Sequence, residues 1–178
     1  MNTFTKLSSG AFALALFIGL NAPAVQAANV VEVAKDDDNL STLVELVIAA
    51  DLVSTLAGAD DITVFAPTND AFNKLPRALT RAIQNDESGK ILTSILTYHV
   101  APSRLSSSDV VGMRSIPTLL EGSNINVRTA GSNVFLNNAR ITAVDIETSN
   151  ATVHTINNVL IPWHSILRDV IAALRHGA

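Results

Sequence analysis

Histidine is the residue type in this sequence best suited to acid–base chemistry or to holding a metal, and it occurs at His99, His154, His164 and His176. No two of the four stand at the short spacing of zinc ligands, and the chain contains no cysteine that could complete a site. His154 lies in a strand pattern, which predicts a packed and hydrogen-bonded side chain, whereas His164 and His176 are expected to be exposed. The sequence therefore predicts no metal site and no cofactor.

A run of serines is the other candidate for chemistry: Ser106, Ser107 and Ser108, followed by Asp109. The chain has no Gly-x-Ser-x-Gly elbow to activate a serine and no glycine-rich loop to hold a phosphate. The run is more simply a helix cap. For Asp145 we expect a turn or backbone-bonding role rather than acid–base work. The sequence predicts no catalytic residue.

The first 27 residues have the pattern of a secretory signal peptide. Lys6 is the only charge, Ala11–Leu20 is an apolar run, and Val25–Ala27 offers the small residues that a signal peptidase needs. The run is roughly ten residues long, too short for the ~20 that span a bilayer. The alternative is a buried helix of the fold. We expect cleavage before Ala28 and a secreted or periplasmic protein.

The net charge of this chain limits the classes of partner that it is expected to bind. The net charge is −4 at pH 7 and becomes about −5 without Lys6, because residues 1–27 contain no acid. This acidic excess disfavours nucleic acid and anionic membranes as partners. The one charge run, Asp36–Asp38, is expected to be solvated near a helix start, since it lacks the spaced ligands and glycine turn of a calcium loop.

The first half of the chain has helical spacing interrupted by one strand. A helix capped by Asn39 or Ser41 is predicted to continue to Gly58, and the β-branched segment Ile62–Ala66 predicts a strand. We expect a further helix after Pro67.

That helix is expected to begin with Thr68 as its cap and Asp70 as an acid in its first turn. Two more helical stretches follow, over Leu79–Ile83 and Ile91–Leu96, with a break near residues 85–89.

The second half changes to the alternating pattern of strands. Residues 124–156 predict a run of hairpins, and residues 166–174 predict a last amphipathic helix. Helices first and strands later, without regular alternation, indicate an α+β domain. We expect one domain over residues 28–178, including the C-terminal helix.

Three segments in order resemble the signatures of the fasciclin domain family. Thr63–Phe72 is similar to the first signature, Leu92–Val100 to the central Tyr-His segment, and Ala143–Ile146 with Val153–Pro162 to the second signature. The resemblance covers roughly residues 29–165. It implies a compact α+β wedge in which helices pack against a twisted β-sheet. It also implies adhesion or matrix binding through protein or glycan partners, and it does not imply catalysis.

The resemblance also suggests which residues matter. Partner contact in adhesive members of the family maps onto four residues here: Leu96, Tyr98, His99 and Val100. The alternative for this segment is a core tyrosine and a hydrogen-bonded histidine. Structural roles map onto the remaining signature positions: Phe65, Pro67, Thr68, Asp70, Phe72, Asp145, His154, Asn157 and Pro162.

Two positions depart from the family pattern. Ala151 stands where the family usually has glycine after Asn150, which predicts a different turn or a small strain. Asn157 stands where the family usually has aspartate. Asn39 and Asn150 also match the N-glycosylation pattern.

Three functions remain open from the sequence. The first is a secreted, non-enzymatic module for cell adhesion or for binding a matrix or cell-surface partner, with self-association left open and no membrane insertion. The second is a carrier of an apolar small molecule such as a pigment or lipid. The third is a hydrolase, which the missing motifs disfavour.

Overall fold

The computed structural model describes residues 28–176, whose seven strands form one sheet in the order β2-β1-β7-β6-β5-β4-β3. The strands are β1 (Ile62–Pro67), β2 (Val100–Ala101), β3 (Ser115–Pro117), β4 (Asn124–Ala130), β5 (Asn133–Leu136), β6 (Ala139–Glu147) and β7 (Ala151–Ile156). β1 and β7 pair in parallel, and the other neighbours pair antiparallel.

The helices of the described range lie mostly before the long strands. They are α1 (Val30–Asp36), α2 (Ser41–Ala49), α3 (Val53–Gly58), α4 (Asn69–Asn73), α5 (Arg77–Asn85), α6 (Lys90–Tyr98), α7 (Ser107–Gly112) and α8 (Trp163–His176), with a 3₁₀ turn at Asp38–Leu40. The predicted α+β class is therefore confirmed. The expected break between two helices near residues 85–89 is also present, because α6 follows Gly89 in a left-handed conformation (φ 64°).

β1 and β7 lie second and third from the β2 edge of the sheet, and every residue of both strands is buried. Val64 pairs with Val153, and both belong to an apolar cluster formed with α1, α2 and α3. Their neighbours Phe65 and His154 also pair and stack with ring centroids 5.7 Å apart. Phe65 belongs to a second cluster with Tyr98 and the apolar residues of β3, β4 and β5. Alternation along the strands thus divides the core between two faces of the sheet.

A third apolar cluster holds α5, α6 and α8 together. Ile91 and Ile95 of α6 are buried there against Ile166 and Val170 of α8. These pairs are spaced four residues apart, so each helix turns one apolar face to the other. The C-terminal helix predicted from residues 166–174 is confirmed and begins three residues earlier.

The helix predicted from Asn39 or Ser41 to Gly58 is broken, and its expected caps are wrong. α2 ends at Ala49, because Asp51 takes a left-handed conformation (φ 54°) before α3 begins. An apolar repeat cannot reveal such a turn, which aspartate tolerates better than most residues. The 3₁₀ turn precedes α2, and the Asp37 side chain caps it by accepting from the Asn39 N–H at 2.9 Å.

Thr68 stands at the predicted cap position of α4, but its hydroxyl makes no capping bond, so the expected side-chain cap is wrong. The main chain serves instead: the Thr68 carbonyl accepts from the Ala71 N–H at 2.8 Å, and the Thr68 N–H donates to the Ile156 carbonyl at 3.2 Å. Asp70 is exposed in the first turn. The serine run caps α7 as expected, through reciprocal bonds between Ser106 and Asp109.

Of the two alternatives predicted at Ala151, a different turn or a small strain, the structure shows a different turn, because Ala151 begins β7 and does not take the left-handed conformation. The Thr148 side chain closes the turn by accepting from the Ala151 N–H at 2.9 Å. The predicted signal peptide lies outside the described residues, and so does the His176 side chain. Within residues 28–176 no helix is long and apolar enough to cross a bilayer.

Candidate functional site

The Tyr-His segment lies where α6 ends and β2 begins. The Asp86 carboxylate accepts from the Ile91 N–H at 2.7 Å and so satisfies the start of α6. Apolar residues at spacings of three and four then fix one face of the helix in the core. His99 caps the end of α6, where its N–H donates to the Leu96 carbonyl at 3.1 Å.

His99 is buried, and it joins three parts of the fold. Its Nδ1 donates to the Ile95 carbonyl at 2.7 Å, since its Nε2 must accept the bond from the Leu160 N–H at 2.9 Å. Its carbonyl accepts from the Phe65 N–H at 2.8 Å. Burial lowers the pKa of His99 to about 4, and the bond to Ile95 only partly opposes this. The imidazole is therefore neutral at pH 7, with both nitrogens engaged.

Tyr98 is buried on the opposite side of the segment, in the second cluster. Its hydroxyl donates to the Asn124 carbonyl at 2.8 Å and accepts from the Asn137 side-chain amide at 2.9 Å. Asn137 stands in a left-handed turn (φ 52°), and its side-chain oxygen accepts from the Asn126 N–H at 3.0 Å. Tyr98 thus connects the end of α6 to the start of β4 and to the turn between β5 and β6.

Leu96, His99 and Val100 line one apolar cavity of about 50 Å³ between α6, the N-terminal helices and the sheet. Because the nitrogens of His99 are bonded elsewhere, its ring adds no free polar atom to the wall. The cavity is also lined by residues that are less buried, among them Thr55, Thr97 and Leu119. The structure therefore places three of the four expected contact residues together and turns Tyr98 away. All four are buried, and partner contact at them stays a prediction.

Asp145 and His154 form the polar part of the second signature. Asp145 lies in a bulged region of β6 in left-handed conformation (φ 56°), and its carboxylate accepts from the Ser107 N–H at 2.7 Å and from the Ser107 hydroxyl. The hydroxyl bond, followed by the backbone bond, lowers the pKa of Asp145. His154 accepts from the Asp145 N–H at 3.2 Å and donates to the Leu105 carbonyl at 3.0 Å.

This serine, aspartate and histidine do not form a nucleophilic relay. A relay needs the histidine to take the proton of the serine hydroxyl, with the acid orienting the histidine. Here the Ser107 hydroxyl donates to Asp145, and His154 accepts from a backbone N–H. The arrangement ties α7 and β7 to the bulge of β6. Within residues 28–176 no three histidine or acidic side chains converge in a way that could hold a metal ion.

Comparison with known proteins assigns this arrangement to a family. The family model described as the fasciclin domain matches residues 38–162. The chain belongs to the fasciclin domain family.

Relatives and a solved structure agree with this assignment. The chain is 37% identical over 136 residues to Protein sll1483 of Synechocystis, covering 76% of this chain and 74% of that protein. It is 42% identical over 111 residues to the cell surface glycolipoprotein MPB83 of Mycobacterium bovis, covering 62% of this chain and 48% of the relative.

The fold itself has been seen in a FAS1 domain pair from the insect cell adhesion molecule fasciclin I. That structure matches with a TM-score of 0.54 at 22% identity, over 70% of this chain and 46% of the other. The expected fasciclin-type fold is therefore confirmed, while the chain spans about half of MPB83 and of the insect structure.

The remaining signature residues of this fasciclin domain lie around the same strands. Pro67 pairs with Ile156 at the end of β1, Phe72 packs against the first and third clusters, and Pro162 is buried. The Asn157 side-chain oxygen accepts from the Arg140 N–H at 2.8 Å. An aspartate could accept the same bond, so the departure at Asn157 keeps the acceptor.

Asn150 is the residue whose role the sequence did not reveal. Its side-chain oxygen accepts from the Val30 N–H at 3.0 Å, and its amide donates to the carbonyls of Leu56 and Ala59, both at 2.8 Å. The side chain is buried. It therefore joins α1 and α3 to β7, and a glycan at Asn150 is incompatible with these bonds. Asn39, the other glycosylation match, is exposed.

Asn69 and Arg104 also hold segments together without having been singled out. The Asn69 side-chain oxygen accepts from the Thr42 N–H at 3.0 Å and so satisfies the start of α2. The Arg104 guanidinium donates to the carbonyls of Thr148 and Ala151 at 3.4 and 3.2 Å. A polar residue next to a strand or helix start was the only sequence signal available for either.

Proposed function

We propose that this fasciclin domain is a secreted or periplasmic, non-enzymatic module that binds a protein or glycan of a cell surface or matrix. Two names among the comparisons support the proposal: a cell surface glycolipoprotein and an insect cell adhesion molecule. The observation that carries it is the apolar cavity at the Tyr-His segment, where Leu96, His99 and Val100 meet.

The cavity suits an anchoring side chain of a partner. Interfaces are commonly dominated by a few apolar or aromatic groups that enter a preformed pocket. Leu119 stands on the cavity with 37% of its surface exposed, and its N–H donates to the Val100 carbonyl at 2.8 Å. A partner that contacts Leu119 would therefore reach the Tyr-His segment. Tyr98 could remain buried in such a contact.

The size of the cavity favours this function over the carrier function. A volume of about 50 Å³ accommodates a small apolar group, whereas sites for small molecules usually measure roughly 300–1,000 Å³. A pigment or lipid would have to displace α1 or α2. The carrier function is the second candidate, because the same apolar wall would line the widened site.

Matched charge variants test the proposal. Leu119→Glu places a carboxylate at the cavity, and Ile48→Glu places one on α2 at a residue that is 55% exposed and does not line it. The purified chains are immobilised and offered to host cells and to matrix and glycan preparations, after circular dichroism has verified folding. We expect Leu119→Glu to lose saturable binding and Ile48→Glu to keep it.

The same variants distinguish the carrier function. A fluorescent fatty acid serves as the apolar probe, and protein purified from its own host is extracted for bound pigment or lipid. Probe binding that Leu119→Glu abolishes, without any surface binding by the unmodified chain, would favour the carrier. Equal surface binding by both variants would move the contact site away from the cavity.

A further inference from the structure

The C-terminal helix α8 has one apolar face that the fold uses. Ile166, Val170 and Ala173 are buried against α5 and α6 in the third cluster. A helix on the surface of a globular domain normally carries polar residues elsewhere, because one apolar stripe suffices for packing.

α8 has a second apolar stripe that the described fold leaves exposed. Trp163, Leu167 and Ile171 are 46%, 52% and 44% exposed. They follow one another at intervals of four residues, so they lie in one row along the helix. Three large apolar side chains in one row form an exposed patch of the kind that is often functional in a monomer.

A basic row runs beside this stripe. Arg168 and Arg175 are exposed, and at 100° per residue they lie together on one flank of the stripe, next to His164, whose Nε2 is hydrogen-bonded to the Ser123 hydroxyl at 3.2 Å. Within residues 28–176 no hydrogen bond or salt bridge is recorded for the Arg168 and Arg175 guanidinium groups. The acid of this helix, Asp169, lies on the side of the helix away from the stripe, beside a depression that it lines with Asp86.

A second copy of the chain fits this surface poorly. Three side chains that are about half exposed offer on the order of 300 Å², whereas a stable interface buries about 800 Å² on each partner. Two basic rows would also meet in a symmetric pair. The charge complement of arginines beside a tryptophan-containing apolar stripe is an anionic lipid surface, into which such helices sink by several ångströms.

We propose that α8 docks the domain on the surface of an anionic bilayer. Trp163, Leu167 and Ile171 enter the boundary between headgroups and acyl chains, and Arg168 and Arg175 contact the lipid phosphates. The helix lies in the plane of the surface and does not span the bilayer. The net charge, about −5 without Lys6, disfavours anionic membranes for the molecule as a whole but does not prevent docking through α8, because charges more than about 8–10 Å from the lipid are screened at physiological salt. The inference does not rest on the proposed partner site.

The protein carries its own probe for the experiment, since Trp163 is its single tryptophan. The exported chain, from which residues 1–27 have been removed, is titrated with vesicles of phosphatidylcholine alone and of phosphatidylcholine mixed with phosphatidylglycerol, and Trp163 emission is recorded. Brominated lipids then report depth by quenching. We expect a blue shift and quenching with the anionic vesicles, weakened by added salt, and little change with phosphatidylcholine alone.

Paired variants distinguish the contribution of the arginines to vesicle binding from that of the apolar stripe. Arg168→Gln with Arg175→Gln should lower partitioning onto anionic vesicles about 25-fold, at about fivefold for each arginine. Arg114→Gln with Arg128→Gln removes the same charge elsewhere on the exposed surface and should leave partitioning within about twofold, since only charges near the lipid contribute. Leu167→Ser with Ile171→Ser should abolish quenching, and Ile48→Ser should not.

Two results would overturn the proposal. The first is unchanged Trp163 emission with anionic vesicles, or an equal loss in both arginine pairs. The second is a blue shift that grows with protein concentration in the absence of lipid, together with a dimer in sedimentation. That result would assign the stripe to a second copy of the chain.

Discussion

Lowering the pH should destabilise this domain through His99, which is buried and neutral. The pKa of His99 falls from 6.5 in the unfolded chain to about 4 in the folded one, mainly through burial. Between these values the unfolded chain binds more protons than the folded chain does. The contribution of His99 is therefore fully present above pH 6.5 and is lost as the pH falls toward 4.

The size of the effect follows from the same two values. The full difference corresponds to about 3 kcal/mol, and by pH 5 about 2 kcal/mol of it has been lost. The assay is urea unfolding at pH 7, 6 and 5, with the slope checked for a constant unfolded state. Carboxylates with lowered pKa values, such as Asp145, change their protonation below this pH range. They therefore do not contribute to the loss of stability between pH 7 and 5.

His99→Gln isolates the residue from other titrating groups. Glutamine can donate to one carbonyl and accept one N–H but does not titrate, so the variant should be less stable at pH 7 by about 1–3 kcal/mol. Between pH 7 and 5 the variant should lose about 2 kcal/mol less of its free energy of unfolding than the unmodified chain does. Equal losses in the two proteins would refute the placement of a buried neutral imidazole at His99.

Three further outcomes follow from the structure and its sequence. Asn150→Asp should cost about 2–4 kcal/mol of unfolding free energy in urea, because a carboxylate cannot donate to the carbonyls of Leu56 and Ala59 and is poorly solvated there. Tyr98→Phe should cost about 1–2 kcal/mol in the same assay, because it removes a hydroxyl with two buried bonds. Export of the full chain should yield a mature N-terminus at Ala28, give or take a few residues, as read by mass spectrometry.

Each of these outcomes has a control or a contradicting result. Asn39→Asp makes the same chemical change at an exposed asparagine and should alter stability by less than about 0.5 kcal/mol. A near-neutral Asn150→Asp would contradict the hydrogen-bonded role of Asn150. A Tyr98→Phe variant as stable as the unmodified chain would mean that water replaces the hydroxyl, and an uncleaved N-terminus would refute the signal peptide.

Local patterns predicted the elements of this fold better than their connections. The β-branched segment Ile62–Ala66 and the alternating segment before Ile156 indicated strands, and both are strands. Their parallel pairing joins segments almost ninety residues apart. No periodicity within either segment could specify that partner. The turn at Asp51 was missed for the related reason that an apolar repeat does not encode backbone handedness.

The candidate site was likewise predicted only in part. The Tyr-His segment was singled out, but residue type leaves the burial of tyrosine and histidine open. Only the packing of α6 shows that His99 faces the cavity while Tyr98 faces β4 and the turn between β5 and β6. Asn150 resembled a turn residue or a glycosylation site, because its partners in α1 and α3 are more than ninety residues away.

The most direct test of the proposed interaction function is the ratio of dissociation constants of Leu119→Glu and Ile48→Glu for the surface or matrix preparation that the unmodified chain binds. Both variants add one carboxylate at an exposed apolar residue, and only Leu119 lines the cavity with Leu96, His99 and Val100. An anchor that enters this cavity predicts a ratio of about 30-fold or more, the usual loss at a central contact. Equal dissociation constants would contradict partner binding at the Tyr-His cavity.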